Sequence, residues 1–210
     1  DRGCTPLSVA SGGRLAALAA EHGLPLVAVP GGLQPRAALG RLAMPLYAAL
    51  ERVGLVPSLA EDVAEAADVL AAVAAGCAPS VTDDRNPAKG VARRLHGRVA
   101  VVYGAGLTTP AARRCKSQLT ENAKAPAFFG EMPEVDHNEI EGWGGPGPLG
   151  GGSHLVLLED AAASGRMRRR AARTATAIAG CGISVDRLET RGVSPLARVL
   201  SLVALGDHAS

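Results

Sequence analysis

The residues best suited to acid–base chemistry lie within one stretch of the chain, residues 116–143. Glu121 lies near the end of a predicted helix, and His137 lies in the polar run 136–139 after a short apolar segment. A carboxylate and an imidazole can move protons near neutral pH when both reach one substrate. Two simpler interpretations stay open. Glu121 can form a weak helix-surface ion pair with Lys124, and His137 can be a solvated loop histidine.

Two other features could bind an anion. Arg36 follows Pro35 at the start of a predicted helix, which in an open α/β sheet places a guanidinium outside the carboxyl end of a strand, where ligands bind. An exposed arginine at a helix start would show the same pattern, so both interpretations remain. The turn 104–106 leads into a helix that begins near Thr109 and could also hold an anion, but it lacks the third glycine of a dinucleotide-binding motif.

A basic helix face is predicted over residues 163–179. Its arginines are Arg166, Arg169, Arg170 and Arg173. They could attract phosphate groups, but their spacing of i, i+3, i+4 and i+7 is more typical of the solvated side of an amphipathic helix. The sequence alone therefore assigns them no function.

The composition limits the class of protein. The 210 residues are 47% hydrophobic but only 2% aromatic, which predicts a core of small aliphatic side chains. The net charge of +2 is too small to direct the chain to nucleic acid or an anionic membrane, and no apolar run approaches the roughly 18 residues of a membrane span. The four cysteines and five histidines show no metal-ligand spacing. We therefore expect a cytoplasmic protein with reduced thiols, without a metal or cofactor.

Short apolar runs alternate with helical patterns along the chain. The runs 7–10 and 26–29 flank a helix and predict a parallel βαβ unit. Further units of this kind follow the polar segment 77–85, which is the best candidate for a linker. We predict an α/β protein with parallel sheets, in which residues 1–76 form the last part of a first subdomain and residues 86–210 form a second.

Several blocks of the sequence resemble the bifunctional phosphoglucose/phosphomannose isomerase family, which is built from sugar isomerase (SIS) domains. The blocks follow the family's order and cover most of the chain: SGGRL at 11–15, VPGGLQPRAALG at 29–40, NPAK at 86–89, VVYGAG at 101–106, KSQLTENAKAPAFF at 116–129 and HNEIEGW at 137–143. The last two blocks are the most specific. The resemblance implies tandem SIS-type three-layer α/β/α units, of which the first is incomplete in this chain.

The resemblance also implies a reaction and roles for single residues. An aldose–ketose isomerase moves a proton between neighbouring carbons of a hexose 6-phosphate through an enediol, and a second group opens the cyclic sugar. By motif, Glu121 is the implied base, His137 opens the ring, and Arg36 stabilises the developing enediolate. The implied substrate-binding positions are Arg36, Gly12, Gly13 and Asn122.

The family is dimeric, with the histidine contributed across the interface, so the resemblance implies a homodimer with a shared site and neither nucleic acid nor membrane as a partner. Two family segments have no counterpart here: a Ser/Thr phosphate-binding loop expected before Asp1, and a catalytic lysine expected beyond Ser210. We expect the chain to be a fragment with little activity alone. The alternative is a SIS-type protein that binds sugar phosphates without turning them over, although a pure binder needs neither Glu121 nor His137.

Overall fold

The computed structural model describes residues 3–145 and 152–210, and the chain divides into two compact units, residues 1–60 and 61–210. The predicted α/β class is confirmed, and the described strands pair in parallel. The strands are β1 Ser8–Ala10, β2 Leu26–Ala28, β3 Val99–Ala105, β4 Ala127–Met132, β5 Ser153–Glu159 and β6 Ser184–Glu189. The helices are α1 Gly13–Glu21, α2 Leu39–Arg52, α3 Ala60–Gly76, α4 Pro87–Leu95, α5 Thr109–Glu121, α6 Val135–Asn138, α7 Gly165–Gly180 and α8 Pro195–Ala209.

The first unit is a small βαβ arrangement. Strands β1 and β2 form a two-stranded parallel sheet with Ser8 opposite Leu26, and α1 connects them, as the apolar runs predicted. A 3-10 turn over Pro35–Ala38 then leads into α2. Among the described residues of this unit only Ala19 is buried. Its apolar side chains are largely exposed, which is the behaviour expected of a sheet too small to cover a core.

The second unit contains a four-stranded parallel sheet in the order β4-β3-β5-β6. The central strands β3 and β5 are buried along almost their whole length, which explains their continuous apolar sequence. Helices cover both faces. One core joins the sheet to α3, α4, α5 and α8, and a second joins it to α7 and the segment around α6. The unit is therefore a three-layer α/β/α sandwich whose core is mostly alanine, valine and leucine.

The turn chemistry explains why α4 begins where the sequence predicts. Asn86 is the N-cap, and its side chain accepts a hydrogen bond of 3.0 Å from the backbone N–H of Lys89, with Pro87 as the first helical residue. Lys89 Nζ also donates to the carbonyls of Pro79 and Val81, both at 2.9 Å. The segment 77–85 is thus attached to α4 by direct hydrogen bonds.

The compact units and the subdomains predicted from the sequence begin at different residues. The second compact unit begins at Glu61 and includes α3, because Val73 of α3 packs in the same core as Val91 of α4. The division into residues 1–76, a linker at 77–85 and residues 86–210 remains a prediction. No helix in the described ranges is long and apolar enough to cross a membrane.

Candidate active site

Glu121 is the last residue of α5, and Asn122 is its C-cap. Helix α5 leaves the carboxyl end of β3 and returns to the amino end of β4, so Glu121 lies at the amino edge of the sheet. Its side chain is exposed to solvent. Lys124 Nζ donates a 2.7 Å hydrogen bond to the backbone carbonyl of Glu121, and a cation is favourable at this end of a helix.

A polar network attaches this end of α5 to α8. Asp207 accepts two hydrogen bonds from Arg114, of 3.0 and 2.7 Å, and a third of 2.9 Å from Gln118 Nε2. Asn122 Nδ2 donates to Ser210 Oγ at 2.9 Å. The Oδ1 atom of Asn122 is buried and accepts no hydrogen bond from the described residues. The network therefore fixes the backbone beside Glu121.

His137 lies on α6, which follows the carboxyl end of β4. The run 136–139 is a helical turn rather than a loop, and the histidine side chain is exposed. Its neighbour Asp136 faces α7, where its carboxylate accepts a hydrogen bond of 2.6 Å from Thr174 Oγ1 and another of 3.1 Å from Arg170 Nη1. These two hydrogen bonds hold the turn against α7, while the imidazole of His137 remains exposed to solvent.

Tyr103 of β3 holds the other side of the His137 segment. Its hydroxyl donates a hydrogen bond of 2.6 Å to Glu139 Oε2 and accepts one of 3.1 Å from Trp143 Nε1. Burial and the bond to Glu139 raise the pKa of Tyr103 well above its usual value, so the phenol stays a proton donor at neutral pH. The sequence analysis missed this cluster, although a tyrosine within a buried apolar strand signals a polar partner for its hydroxyl.

Glu121 and His137 are not brought together within one chain. Glu121 lies at the amino edge of the sheet and His137 beyond its carboxyl edge. Six residues of strand separate the two edges, a distance of about 20 Å. If both groups act on one substrate, they must therefore come from two copies of the chain.

The candidate residues of the first unit lie at one edge of its sheet. Gly12 and Gly13 lie at the junction between β1 and α1 and have φ of 143° and 70°, values in the region where glycine is favoured. Arg36 is half-buried in the 3-10 turn that follows β2. The loops after the two strands are adjacent, since a Cβ built on Gly31 would lie 3.6 Å from Ser11 Cβ. The three predicted positions thus share the carboxyl edge of β1 and β2, where α/β sheets bind ligands.

The glycine turn after β3 is held by internal contacts. Thr108 Oγ1 accepts a hydrogen bond of 2.9 Å from the backbone N–H of Ala105 and donates one of 2.9 Å to the carbonyl of Leu158. A Cβ on Gly104 would lie 2.8 Å from the carbonyl oxygen of Thr108, so this glycine permits close packing. In the described ranges, no group of three or more potential metal-ligating side chains occurs.

Comparison with known proteins finds relatives along the whole chain. A bifunctional phosphoglucose/phosphomannose isomerase of Caldicellulosiruptor bescii is 34% identical over 210 residues, covering 100% of this chain and 62% of the relative. The protein of the same name from Aquifex aeolicus is 34% identical over 209 residues, covering 100% of this chain and 61% of the relative. The chain thus spans less than two thirds of the length of both relatives.

The fold and the family follow from two further comparisons. A crystal structure of a glucose-6-phosphate isomerase like protein from Thermus thermophilus superposes with a TM-score of 0.66 at 19% identity, covering 97% of this chain and 71% of that one. This likeness shows a shared fold. The family described as the bacterial phospho-glucose isomerase C-terminal SIS domain matches residues 84–210. The chain therefore belongs to the family of bacterial phosphoglucose isomerase C-terminal SIS domains.

Proposed function

We propose that the protein carrying this chain is an aldose–ketose isomerase that interconverts glucose 6-phosphate and mannose 6-phosphate with fructose 6-phosphate. The observation that carries the proposal is the similarity along all 210 residues to isomerases named for these activities. The chain also contains the carboxylate and imidazole that such a reaction needs, Glu121 and His137, in its two most specific sequence blocks.

Glu121 acts as the base in this proposal. Its carboxylate accepts the proton from C2 of the open-chain aldose while the C1 carbonyl oxygen takes up a proton, which gives the enediol. The hydroxyl on C2 then loses its proton as Glu121 returns the carbon-bound proton to C1, so that C2 becomes the carbonyl of the ketose. Glucose and mannose phosphates differ only in the configuration at C2, which the enediol no longer has. One carboxylate can therefore serve both aldoses.

His137 and Arg36 assist the two steps around the enediol. The exposed imidazole of His137 moves a proton between the ring oxygen and the anomeric hydroxyl, which opens the sugar. The guanidinium of Arg36, at the carboxyl edge of the first sheet, stabilises the negative charge that develops on the enediolate. Asn122, the residue that follows the base, is the remaining substrate-binding residue of the proposed site.

The proposed enzyme is a homodimer with shared active sites. Glu121 and His137 of one chain lie about 20 Å apart at opposite edges of one sheet. A twofold dimer can place His137 of one copy beside Glu121 of the other and forms two equal sites. Each site then needs both subunits, which predicts a specific complementation behaviour.

The test is a coupled assay for fructose 6-phosphate, fed with each aldose phosphate. It is run on the 210-residue chain and on the longest reading frame that contains it. Glu121→Gln and His137→Asn should each lower turnover by at least about 100-fold. A matched control is Glu141→Gln, which removes an exposed carboxylate of the same segment and should leave the rate unchanged.

Mixing the two inactive variants tests the shared site. After joint refolding, mixed dimers have one intact site and one doubly altered site, so a random mixture should recover about a quarter of the wild-type rate. No recovery would contradict the shared site, and full activity of Glu121→Gln would contradict the assignment of the base. Binding of the sugar phosphates without turnover in any form would instead support the non-catalytic SIS-type protein.

A further inference from the structure

An arginine-lined groove lies between α7 and the segment that carries His137. Its volume is about 430 Å³. One wall consists of the arginines on a single face of α7: Arg166, Arg169, Arg170 and Arg173. Asp136 and Ile140 lie on the opposite side. The basic face that the sequence predicted is therefore one side of a concave surface, not only a solvated helix face.

The charges in the groove are not balanced. Arg170 Nη1 lies 3.1 Å from Asp136 Oδ2. In the described parts of the chain, the arginines Arg166, Arg169 and Arg173 form no ion pair or hydrogen bond through their side chains. Four guanidinium groups thus face one carboxylate in a chain whose total net charge is only +2. Such a concentration of one sign of charge in a concave surface attracts an ion of the opposite sign.

The helix itself adds to the positive potential. Helix α7 begins at Gly165 and has no acidic residue in its first turn. The N-terminal end of a helix carries partial positive charge, so anions are favourable there and cations are unfavourable. Arg166, the second residue of α7, is therefore placed where its charge is disfavoured unless an anion is bound.

The spacing of the arginines indicates how long that anion is. The first and last, Arg166 and Arg173, lie seven residues apart on α7, which is about 10 Å along the helix axis. One phosphate group reaches one or two neighbouring guanidinium groups, whereas two or three linked phosphates can follow the row, each accepting paired hydrogen bonds. None of the described residues that line the groove has an aromatic side chain to stack on a nucleobase. We propose that this groove binds a small soluble polyphosphate anion.

The groove is connected to the His137 segment through Arg170. The guanidinium of Arg170 faces the groove and also contacts Asp136, the residue before His137. A polyphosphate that takes hydrogen bonds from Arg170 therefore competes with the Asp136 carboxylate. It follows that removing this carboxylate strengthens binding of the anion, although it also removes a contact that holds α6.

The experiment is an isothermal titration of the 210-residue chain with inorganic tripolyphosphate. It is made at about 0.1 M salt, where charges beyond about 10 Å are screened. Arg169→Ala should weaken binding about tenfold, since it removes a charge-assisted contact. Arg168→Ala is the matched control, because Arg168 precedes Arg169 on α7 but lines a different pocket. This control substitution should change the affinity for tripolyphosphate less than about twofold. Asp136→Asn should tighten binding about threefold or more.

Several results would overturn the proposal. Equal weakening by Arg168→Ala and Arg169→Ala would show general attraction to a basic surface. Equal affinity for monophosphate and tripolyphosphate would show that the row of arginines does not select a longer anion. A short single-stranded oligonucleotide that binds more tightly than tripolyphosphate, with the same dependence on Arg169, would assign the groove to nucleic acid instead. Weaker binding by Asp136→Asn, with an unchanged melting temperature, would contradict the competition for Arg170.

Discussion

A single buried phenol holds the His137 segment in position. Tyr103 projects from the central strand β3 and hydrogen-bonds both Glu139 and Trp143, which follow His137 in the sequence. Because Trp143 is the only tryptophan in the chain, its fluorescence reports directly on this cluster. The position of the imidazole thus depends on a residue with no role in the proton transfer itself.

Replacing the phenol tests this dependence. Tyr103→Phe keeps the ring but removes one donor and one acceptor, leaving the indole N–H of Trp143 without its partner. The free energy of unfolding should fall by about 1–2 kcal/mol, and the emission spectrum of Trp143 should change in the native state. The measurement is urea unfolding followed by circular dichroism and fluorescence. Tyr47→Phe, at the only other tyrosine, is the control because its side chain is exposed. Equal stability of the two variants would contradict the role of Tyr103.

The sequence identifies candidate residues but not their surroundings. Glu121 and His137 stand out because their types suit acid–base work and their blocks are specific. The partners that fix them could not be predicted, since Gln118 and Asp207 lie 89 positions apart and meet only after the helices pack. Nor does the sequence show that two candidates lie at opposite edges of one sheet. That separation follows from the direction in which α5 returns along β3.

At the scale of elements, β4 and α6 approach closely at Gly130. A Cβ at this position would lie 2.6 Å from both Tyr103 Cε1 and Val135 Cγ1. Neither neighbour can easily move, because Tyr103 and Val135 are 1% and 3% exposed in the second core. The absence of a side chain at residue 130 therefore allows the segment after β4 to pack against the sheet.

Gly130→Ala should be destabilising by about 1–3 kcal/mol, since it overpacks a well-filled core. Gly76→Ala is the control. It lies at the end of α3, with no atom within 4 Å of the position that the new methyl group would take, and it should leave stability unchanged or slightly raised. Thermal unfolding of both variants gives the comparison. A Gly130→Ala variant as stable as Gly76→Ala would mean that α6 can shift away from the sheet at little cost.

A second contact between elements joins β6 to its neighbours through Asp186. Arg94 Nε of α4 and His154 Nε2 of β5 lie 2.7 and 3.1 Å from its carboxylate oxygens. Burial tends to raise the pKa of Asp186, but the contacts with His154 and Arg94 outweigh burial and lower it below the ordinary value of 3.8. The charged form is therefore favoured more in the folded than in the unfolded state.

The sign of the pH effect follows. A carboxyl group with a lowered folded pKa contributes its stability above the unfolded pKa and loses it as the pH falls through the folded value. Asp186→Asn should therefore lower stability at pH 7 and reduce the additional loss of stability below about pH 4. Asp68→Asn, which removes an exposed carboxylate on α3, serves as the control in acid unfolding followed by circular dichroism. Parallel acid curves for wild type and Asp186→Asn would contradict the effect.

Most elements could be predicted from the sequence because glycine, proline and capping residues mark their ends. Asn86 and Pro87, for example, predict the first turn of α4, and the structure confirms it. Helix α6 shows why other elements could not be predicted. It has only four residues and no side-chain cap, so it depends on tertiary contacts such as the one between Asp136 and Thr174. Local sequence carries no signal of such contacts.

At the scale of the whole molecule, the two compact units differ in how much of their surface they bury. The second has two cores on the faces of a four-stranded sheet. The first has a two-stranded sheet and many exposed leucines, among them Leu15, Leu46 and Leu55. Burial of apolar surface is the main source of folding free energy. The two units should therefore have very different local stabilities.

Native-state hydrogen exchange measures this difference and also locates the boundary between the units. Amides of β1, β2 and α2 should exchange rapidly, whereas those of β3 and β5 should exchange only through global unfolding. Helix α3 is the informative element, because the compact unit begins at Glu61 while the sequence-based division places residues 1–76 in the first subdomain. We expect α3 to exchange with the slow group, since Val73 packs in the core with Val91 and Leu202. Exchange of α3 together with β1 and β2 would contradict this expectation and would move the boundary to the segment 77–85.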